Sequence, residues 1–182
     1  MANKITIEYT GGEIIERLMR LSQAMSPTGL RTVLGQIGHD LTESTKRRFS
    51  TSTAPDGTPW APNSNAAMAS YLGTAKSNFK KDGTLSKRGE KRQAGKRPLV
   101  ALGTLARSIT WQLVPEGVEI GSPMIYAGTH QFGAKQGQYG RDRRNHPLPW
   151  GDIPARPFLG LSAEDESTIT TLIDTHLNDA LN

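Results

Sequence analysis

The stretch SITWQLVPEGVEIGS, residues 108–122, decides the fold that we expect for this chain. Two runs that contain β-branched and aromatic residues flank the turn-forming tripeptide Pro115-Glu116-Gly117. Such runs favour β-strands, and a short connection with a glycine between them is typical of a β-hairpin. The sequence therefore predicts a central antiparallel hairpin.

Amphipathic helices are predicted before this hairpin. Apolar residues recur at helical spacing from Ile14 to Met25 and again from Leu30 to Phe49, and Ser26-Pro27 separates the two segments. Thr10 stands three residues before Glu13, which is the spacing of a capping box. Ahead of these helices, apolar and polar residues alternate over Lys4–Tyr9, which predicts a half-buried strand.

Further helices are predicted around and after the hairpin. Leucines near residues 99–105 indicate a short helix, and residues 123–133 indicate another that ends at Gly133. Ser162 precedes Asp165 at capping-box spacing and opens a terminal amphipathic helix. The predicted fold is α+β: one domain over residues 1–182, with a small, mostly antiparallel sheet flanked by N-terminal helices and a C-terminal helix, and with long loops.

Residues 50–98 show no sustained periodicity, and we expect a long loop there that Trp60 anchors to the body. Its part 76–97 holds nine Lys or Arg residues against Asp82 and Glu90, a local balance of +7. The whole chain carries only +5, so the remaining residues sum to −2. We expect this basic segment to be mobile.

Two interpretations of the basic segment stay open. Its charges can neutralise phosphates without sequence preference, although only Phe79 lies among them as a stacking residue. Alternatively, the segment is a solvent-exposed loop without a binding role, and its charges serve only to keep it soluble. The candidate phosphate contacts are Lys80, Lys81, Lys87, Arg88, Lys91, Arg92, Lys96 and Arg97.

The composition argues against catalysis. The chain has no cysteine, which excludes disulfides, thiolate nucleophiles and cysteine-based metal sites. Its four histidines lack metal-site spacing, and no nucleophile elbow, P-loop or dinucleotide fingerprint occurs. We therefore expect no enzymatic activity, no catalytic residues, no metal and no cofactor. No window approaches the ~20 apolar residues of a membrane span, so we expect a soluble, non-secreted protein without a membrane partner.

Three fragments follow one another along the chain: PDGTPWAP (residues 55–62), IYAGTHQFG (125–133) and IPARPFLGLS (153–162). LVALGTLARSI (99–109) lies between the first two. In this order the chain resembles the virion morphogenesis, or tail completion, family of tailed bacteriophages, and the likeness spans nearly the whole chain.

The resemblance implies a non-enzymatic structural protein of the phage neck or tail end. Such proteins commonly form rings, often hexameric, that complete the tail or join it to the head connector. The implied partners are further copies of the chain, tail tube or tail terminator proteins, and connector or portal-side proteins. The implied location is the virion, with assembly in the host cytoplasm.

The same fragments supply candidate contacts between subunits, because a ring needs two different patches of the subunit to meet. Arg156 can direct a forked donor at a neighbouring carboxylate. Phe158 and Leu159 alternate faces, so we expect one in the core and the other against a neighbour. The candidate interface residues are His130, Gln131, Phe132, Arg156 and Phe158.

A second function from a different class also stays open. The chain would then be a basic nucleic-acid-binding protein that grips phosphate through residues 76–97. Non-specific contact with viral DNA is compatible with both functions, because a neck ring surrounds the path of the DNA.

Overall fold

The computed structural model describes residues 11–182 and begins with two helices. α1 (Gly12–Ala24) follows Gly11 as its N-cap, and α2 (Arg31–Thr51) follows after a turn. Both predicted helices are confirmed. The strand predicted over Lys4–Tyr9, and Thr10 of the predicted capping box, lie outside the described residues.

One face of α1 is apolar and open to solvent. We call it the α1 ridge; its large side chains are exposed by about half or more, and they are Ile14, Ile15, Leu18, Met19 and Met25. α1 also packs against the C-terminal helix of the chain. The ridge stays exposed beside this contact, so α1 has more apolar surface than residues 11–182 cover.

Residues 64–97 fold into a small unit that we call the basic lobe. It contains α3 (Asn65–Gly73), a 3-10 turn (Lys76–Asn78) and α4 (Lys87–Gly95). The side chains of the N-cap residues, Ser64 and Ser86, accept hydrogen bonds from backbone N–H groups inside their helices. The expectation of an irregular loop through residues 50–98 is therefore wrong, since two capping serines begin helices that the apolar pattern does not indicate. The mobility of this segment stays a prediction.

The basic lobe has its own small core and a closed base. Asn78 is fully buried and donates a 2.7 Å hydrogen bond from Nδ2 to the carbonyl of Leu72. The ring of Tyr71 lies beneath the cationic groups of Arg92 and Lys96, which are 4.8 and 4.9 Å from its centre. At the base, Asn63 Nδ2 donates to the carbonyl of Lys96 at 3.3 Å, so the chain enters and leaves the lobe at neighbouring points.

The hairpin follows the basic lobe. A short helix, α5 (Thr104–Arg107), leads into β1 (Thr110–Val114), which pairs antiparallel with β2 (Gly117–Gly121). Trp111 stands opposite Ile120 in the register. The predicted hairpin and its turn are confirmed. A short helix is present, but it begins only at Thr104, so Leu99 and Leu102 of the predicted helix lie before it. Gly103, with a left-handed backbone, immediately precedes it.

Two helices complete the chain. α6 (Ala127–Phe132) ends at Gly133, whose positive φ of 76° stops the helix. α7 (Ala163–Leu181) begins with the predicted capping box of Ser162 and Asp165. Together with the hairpin, these elements confirm the α+β class. None of the helices in residues 11–182 is long and apolar enough to cross a membrane.

The core has two clusters that share α2. One cluster joins α2 to the segments around Trp60 and Phe158, and its buried members are Phe49, Ala54, Trp60, Leu105, Ile109, Ala127 and Phe158. The other places Val33, Ile37 and Leu41 of α2 against β2 and α7. Helix α2 is thus the element against which both the hairpin and α7 are packed.

Gly38 allows α2 to approach the hairpin closely. A Cβ atom at Gly38 would lie 2.6 Å from Cδ2 of Trp111 and 2.8 Å from Cγ2 of Val118. Both distances are far below van der Waals contact. The absence of a side chain at this position therefore fixes the distance between helix and sheet.

We expect Gly38→Ala to destabilise the protein by about 1–3 kcal/mol, because overpacking outweighs the better helix propensity of alanine. Gly35→Ala is the matched control in the same helix, since its Cβ would meet Trp111 at an ordinary 3.5 Å. The control is expected to be neutral or to stabilise by up to about 1 kcal/mol. Chemical denaturation of both variants measures the difference. Equal effects of the two substitutions would contradict the close contact at Gly38.

Candidate interaction surfaces

The extended segment 153–162, which we call the strap, crosses the core without joining the hairpin. Its one bridge among the described residues pairs Ile153 with Ala134. Arg156 and Phe158 are its buried residues, and backbone polar groups around buried residues need partners, because an unpaired one costs free energy. Side chains from three other parts of the chain provide these partners.

Arg48 of α2 is the first of these side chains. Its Nη1 donates to the carbonyls of Phe158 and Gly160 at 2.7 and 2.8 Å. Its Nη2 donates to Oδ2 of Asp165 at 2.5 Å, and both side chains of this ion pair are buried. One guanidinium therefore connects α2, the strap and the first turn of α7.

Asp165 has several partners besides Arg48. Its carboxylate accepts hydrogen bonds from the backbone N–H and the hydroxyl of Ser162 at 2.9 and 2.8 Å. Burial alone raises the pKa of this carboxyl, but hydrogen bonds from Ser44 and Ser162 and the charge of Arg48 outweigh it. The net effect lowers the pKa of Asp165 below its usual range.

The fragment PDGTPWAP and the strap each donate side-chain hydrogen bonds to the backbone of the other. Nε1 of Trp60 donates to the carbonyl of Pro157 at 2.7 Å. In return, Arg156 donates from Nε to the carbonyl of Ala61 and from Nη2 to the carbonyl of Pro62, each at 2.7 Å. Arg156 was expected to contact a neighbouring subunit. In the structure it is 7% exposed, and its guanidinium is turned toward the carbonyls of its own chain.

The fragment IYAGTHQFG holds the other side of the strap. Oε1 of Gln131 accepts the N–H groups of Phe158 and Leu159, and its Nε2 donates to the carbonyl of Leu159 at 2.9 Å. The side chain of Gln131 therefore makes the hydrogen bonds to the strap backbone that a neighbouring strand would make in a sheet. Phe158 itself is 0% exposed, so it belongs to the core and cannot serve as a subunit contact. Its burial follows from the alternation of side chains along an extended segment.

Phe132 remains on the surface, with 81% of its area exposed. Ile125, at the other end of the same fragment, is fully exposed, and Tyr126 is 40% exposed. Large apolar side chains that remain exposed are candidates for contact with another molecule. Of the five candidate interface residues, Phe132 is therefore the one whose exposure suits a contact.

A groove of about 610 Å³ has Tyr126 in its wall, and we call it the α5–α6 groove. Its wall is mainly apolar and includes Leu99, Leu102, Leu105, Tyr126, Ile153 and Pro154. His130 and Arg156 also line it. Burial and the charge of Arg156 lower the pKa of the His130 imidazole, which is therefore neutral at pH 7. Its Nδ1 is buried and has no hydrogen-bond partner within residues 11–182.

The eight basic candidates of the lobe fall into two groups. Arg92 and Lys96 cover Tyr71, Lys96 also donates to the carbonyl of Val100, and Arg97 donates to the carbonyl of Ser50. These three side chains make contacts within the lobe or between the lobe and the rest of the chain. The other five are exposed and have no ion-pair partner within the described part of the chain: Lys80, Lys81, Lys87, Arg88 and Lys91.

Comparison with known proteins identifies the family. The model of the phage virion morphogenesis family matches residues 11–178. The chain belongs to this family. The chain is 30% identical over 167 residues to tail completion protein S of Escherichia phage P2, which covers 89% of this chain and 93% of that protein. It is also 39% identical over 79 residues to putative capsid assembly protein G of Escherichia phage Mu, 43% of this chain and 46% of that protein. No solved structure matches the chain.

In this member of the virion morphogenesis family, the three fragments that carry the resemblance meet at the strap. Their polar and aromatic residues are used mainly to build the fold. No group of three or more His, Asp or Glu side chains that could hold a metal occurs within residues 11–182.

Sequence reasoning missed Arg48 as the residue that joins these parts. One signal was present, because Leu34, Leu41 and Arg48 are spaced by seven residues along α2. This spacing keeps the three on one face of a helix. A charged residue on an apolar face indicates a buried ion pair, although the pattern does not identify Asp165 as its partner.

We expect Asp165→Asn to lower the free energy of unfolding by about 3–5 kcal/mol at pH 7, because it leaves the buried Arg48 without a counter-charge. The lowered pKa of Asp165 means that the unfolded chain binds the proton first as the pH falls. The stability that this carboxylate provides is thus present above about pH 4 and is lost below it.

Chemical denaturation at pH 7 and pH 3 tests this expectation. The wild-type protein should lose more stability between the two pH values than Asp165→Asn does. Glu166→Gln, an exposed change in the same helix, should follow the wild type within about 0.5 kcal/mol at pH 7. An Asp165→Asn variant with the same acid-induced loss as the wild type would contradict the role assigned to this carboxylate.

Proposed function

We propose that this chain is a structural virion protein of the phage neck or tail end that oligomerises, completes the tail and joins it to the head connector. The observation that carries the proposal is its 30% identity to tail completion protein S of phage P2 over 93% of that protein. The family and the assembly role named for this relative support a component of the virion. The position in the neck and the ring are the more specific part of the proposal.

The exposed apolar surface supports a function in which the protein binds other subunits or virion proteins. Phe132, Ile125 and Leu102 are each more than four-fifths exposed, and the α1 ridge adds a second apolar surface. A chain that buried these residues against neighbours would gain about 1.5–3 kcal/mol for each side chain. We further propose that the protein acts without catalysis, in agreement with the completion and assembly roles for which both relatives are named.

Complementation of a phage that lacks this gene tests the proposal. We expect heads and tails to stay unjoined without the protein and to join when the wild-type chain is supplied. The double variant Ile125→Glu/Phe132→Glu should fold, because both positions are exposed, yet it should fail to restore joining. Electron microscopy gives the fraction of joined particles, and native mass spectrometry of particles gives the copy number.

Glu116→Lys, an exposed change in the hairpin turn, is the matched control and should complement fully. Absence of the protein from particles, together with normal joining in the deletion phage, would refute the proposed function.

A second candidate function is contact between the basic lobe and nucleic-acid phosphate. The five exposed basic side chains of the lobe favour it, since each has its charge open to solvent. In a ring that surrounds DNA, these lobes could face the lumen. This contact would accompany the assembly function or, in a monomeric protein, replace it.

Replacement of Lys80, Lys81, Lys87, Arg88 and Lys91 by glutamine tests the second function. If each contacts a phosphate, the slope of log affinity against log salt should become shallower by up to about 4.5, because one phosphate contributes about 0.9. DNA titration at several salt concentrations measures the slope. Glutamine at Arg143 and Arg144, which are exposed outside the lobe, is the control. An unchanged slope in the fivefold variant would rule out the lobe as a DNA contact.

A further inference from the structure

We infer that the α1 ridge of one copy docks into the α5–α6 groove of a second copy, so that subunits join head to tail. The inference rests on the self-assembly proposed above and names the two surfaces that meet. Three observations support it. The α1 ridge is convex and apolar, the α5–α6 groove is concave and apolar, and the two lie on different parts of the subunit.

The α1 ridge is large for a chain that works alone. At its centre, Ile15, Leu18 and Met19 are 53, 59 and 66% exposed. At roughly 100 Å² for each of its five side chains, the ridge presents about 500 Å² of apolar surface. This area is near the upper end of the ~300–600 Å² found for the largest patch on a monomer. It is also more than half of the ~800 Å² that each partner contributes to a stable interface.

The α5–α6 groove has the complementary shape. Its volume of about 610 Å³ lies within the ~300–1,000 Å³ range of pockets that bind ligands. Leu102 on its wall and Ile125 next to Tyr126 extend the apolar surface outside the groove. A helix that inserts its side chains here would cover these exposed residues as well as the interior of the groove.

The two surfaces lie on different parts of the subunit. α1 packs on α7, whereas the groove is formed by residues 62–67, 96–105, 126–130 and 152–156. No α1 residue lines the groove. Contact between two different patches is heterologous, and repetition of such a contact gives a ring or a filament. A ridge that paired with itself would give only a dimer.

The charges around the two surfaces are also complementary. Lys96 lines the groove and has no acidic partner within residues 11–182. Arg156 also lines it, but its guanidinium is turned inward to the carbonyls of Ala61 and Pro62, so it adds positive charge without a direct contact. Asp152 lines it too, but its charge is paired with Lys135 at 2.8 Å. On α1, the exposed Glu16 lies next to the ridge and has no ion-pair partner in the described residues. The groove is thus net basic, and the helix can supply a carboxylate.

Two full-length variants disable one surface each. Leu18→Glu/Met19→Glu places charges on the ridge, and Ala101→Trp/Leu102→Glu blocks the groove; all four positions are exposed in the subunit. Gln23→Glu, an exposed change in α1 at a residue that is not part of the ridge, is the matched control for the ridge. Thr110→Glu, exposed on β1, is the control for the groove. Circular dichroism verifies the folding of every variant.

Analytical ultracentrifugation then gives the size of each protein alone and of an equal mixture of the two variants. We expect the wild type and both controls to form assemblies larger than a dimer, and each surface variant to be a monomer. In the mixture, the intact ridge of one variant meets the intact groove of the other. One junction forms, so the mixture should contain dimers and nothing larger.

Other results would overturn the inference. A mixture that stays monomeric shows that the two surfaces do not meet, and a groove variant that keeps the wild-type size shows that the ridge has another partner. A monomeric wild type indicates that residues 1–10 or a different virion protein cover the ridge. These outcomes leave the proposed function standing, since that function is refuted only by the particle and deletion experiments.

Discussion

The buried guanidinium of Arg48 is the contact on which the rest of the structure depends. It bonds the carbonyls of Phe158 and Gly160 and pairs with Asp165, which also caps α7. A buried charge of this kind is tolerated only with a complete set of partners. Removal of one partner costs about 3–5 kcal/mol, a large part of the ~5–15 kcal/mol that stabilises a typical domain.

The strap shows how a small apolar content can still specify a fold. Only 35% of the residues are apolar, so the chain cannot rely on a large core or on a wide sheet. Gln131, Trp60 and Arg48 instead satisfy the backbone of the strap with side chains. This arrangement uses the conspicuous residues of the family fragments internally and leaves the exposed apolar side chains of α1 and α6 for partners.

The regular elements could be predicted because their signals are local. The hairpin, α2 and the capping box of α7 each depend on residue types within a few positions of one another. The basic lobe was missed because its helices are begun by Ser64 and Ser86 and carry almost no apolar stripe; Leu72 is the one buried apolar residue within them. The roles of Arg156 and Phe158 were missed for a different reason. An extended segment shows which side chains alternate, but not which face meets the core.

The closed base of the basic lobe has a consequence for the use of this chain. The hydrogen bond between Asn63 and the carbonyl of Lys96 brings the two ends of the lobe together. A segment whose ends are close together can be shortened, exchanged or replaced by another compact domain. Such a change need not displace Trp60 or α5, which flank the lobe in the sequence. This point on the surface is therefore suited to the insertion of a fluorescent or affinity label that would report where the protein sits in a particle.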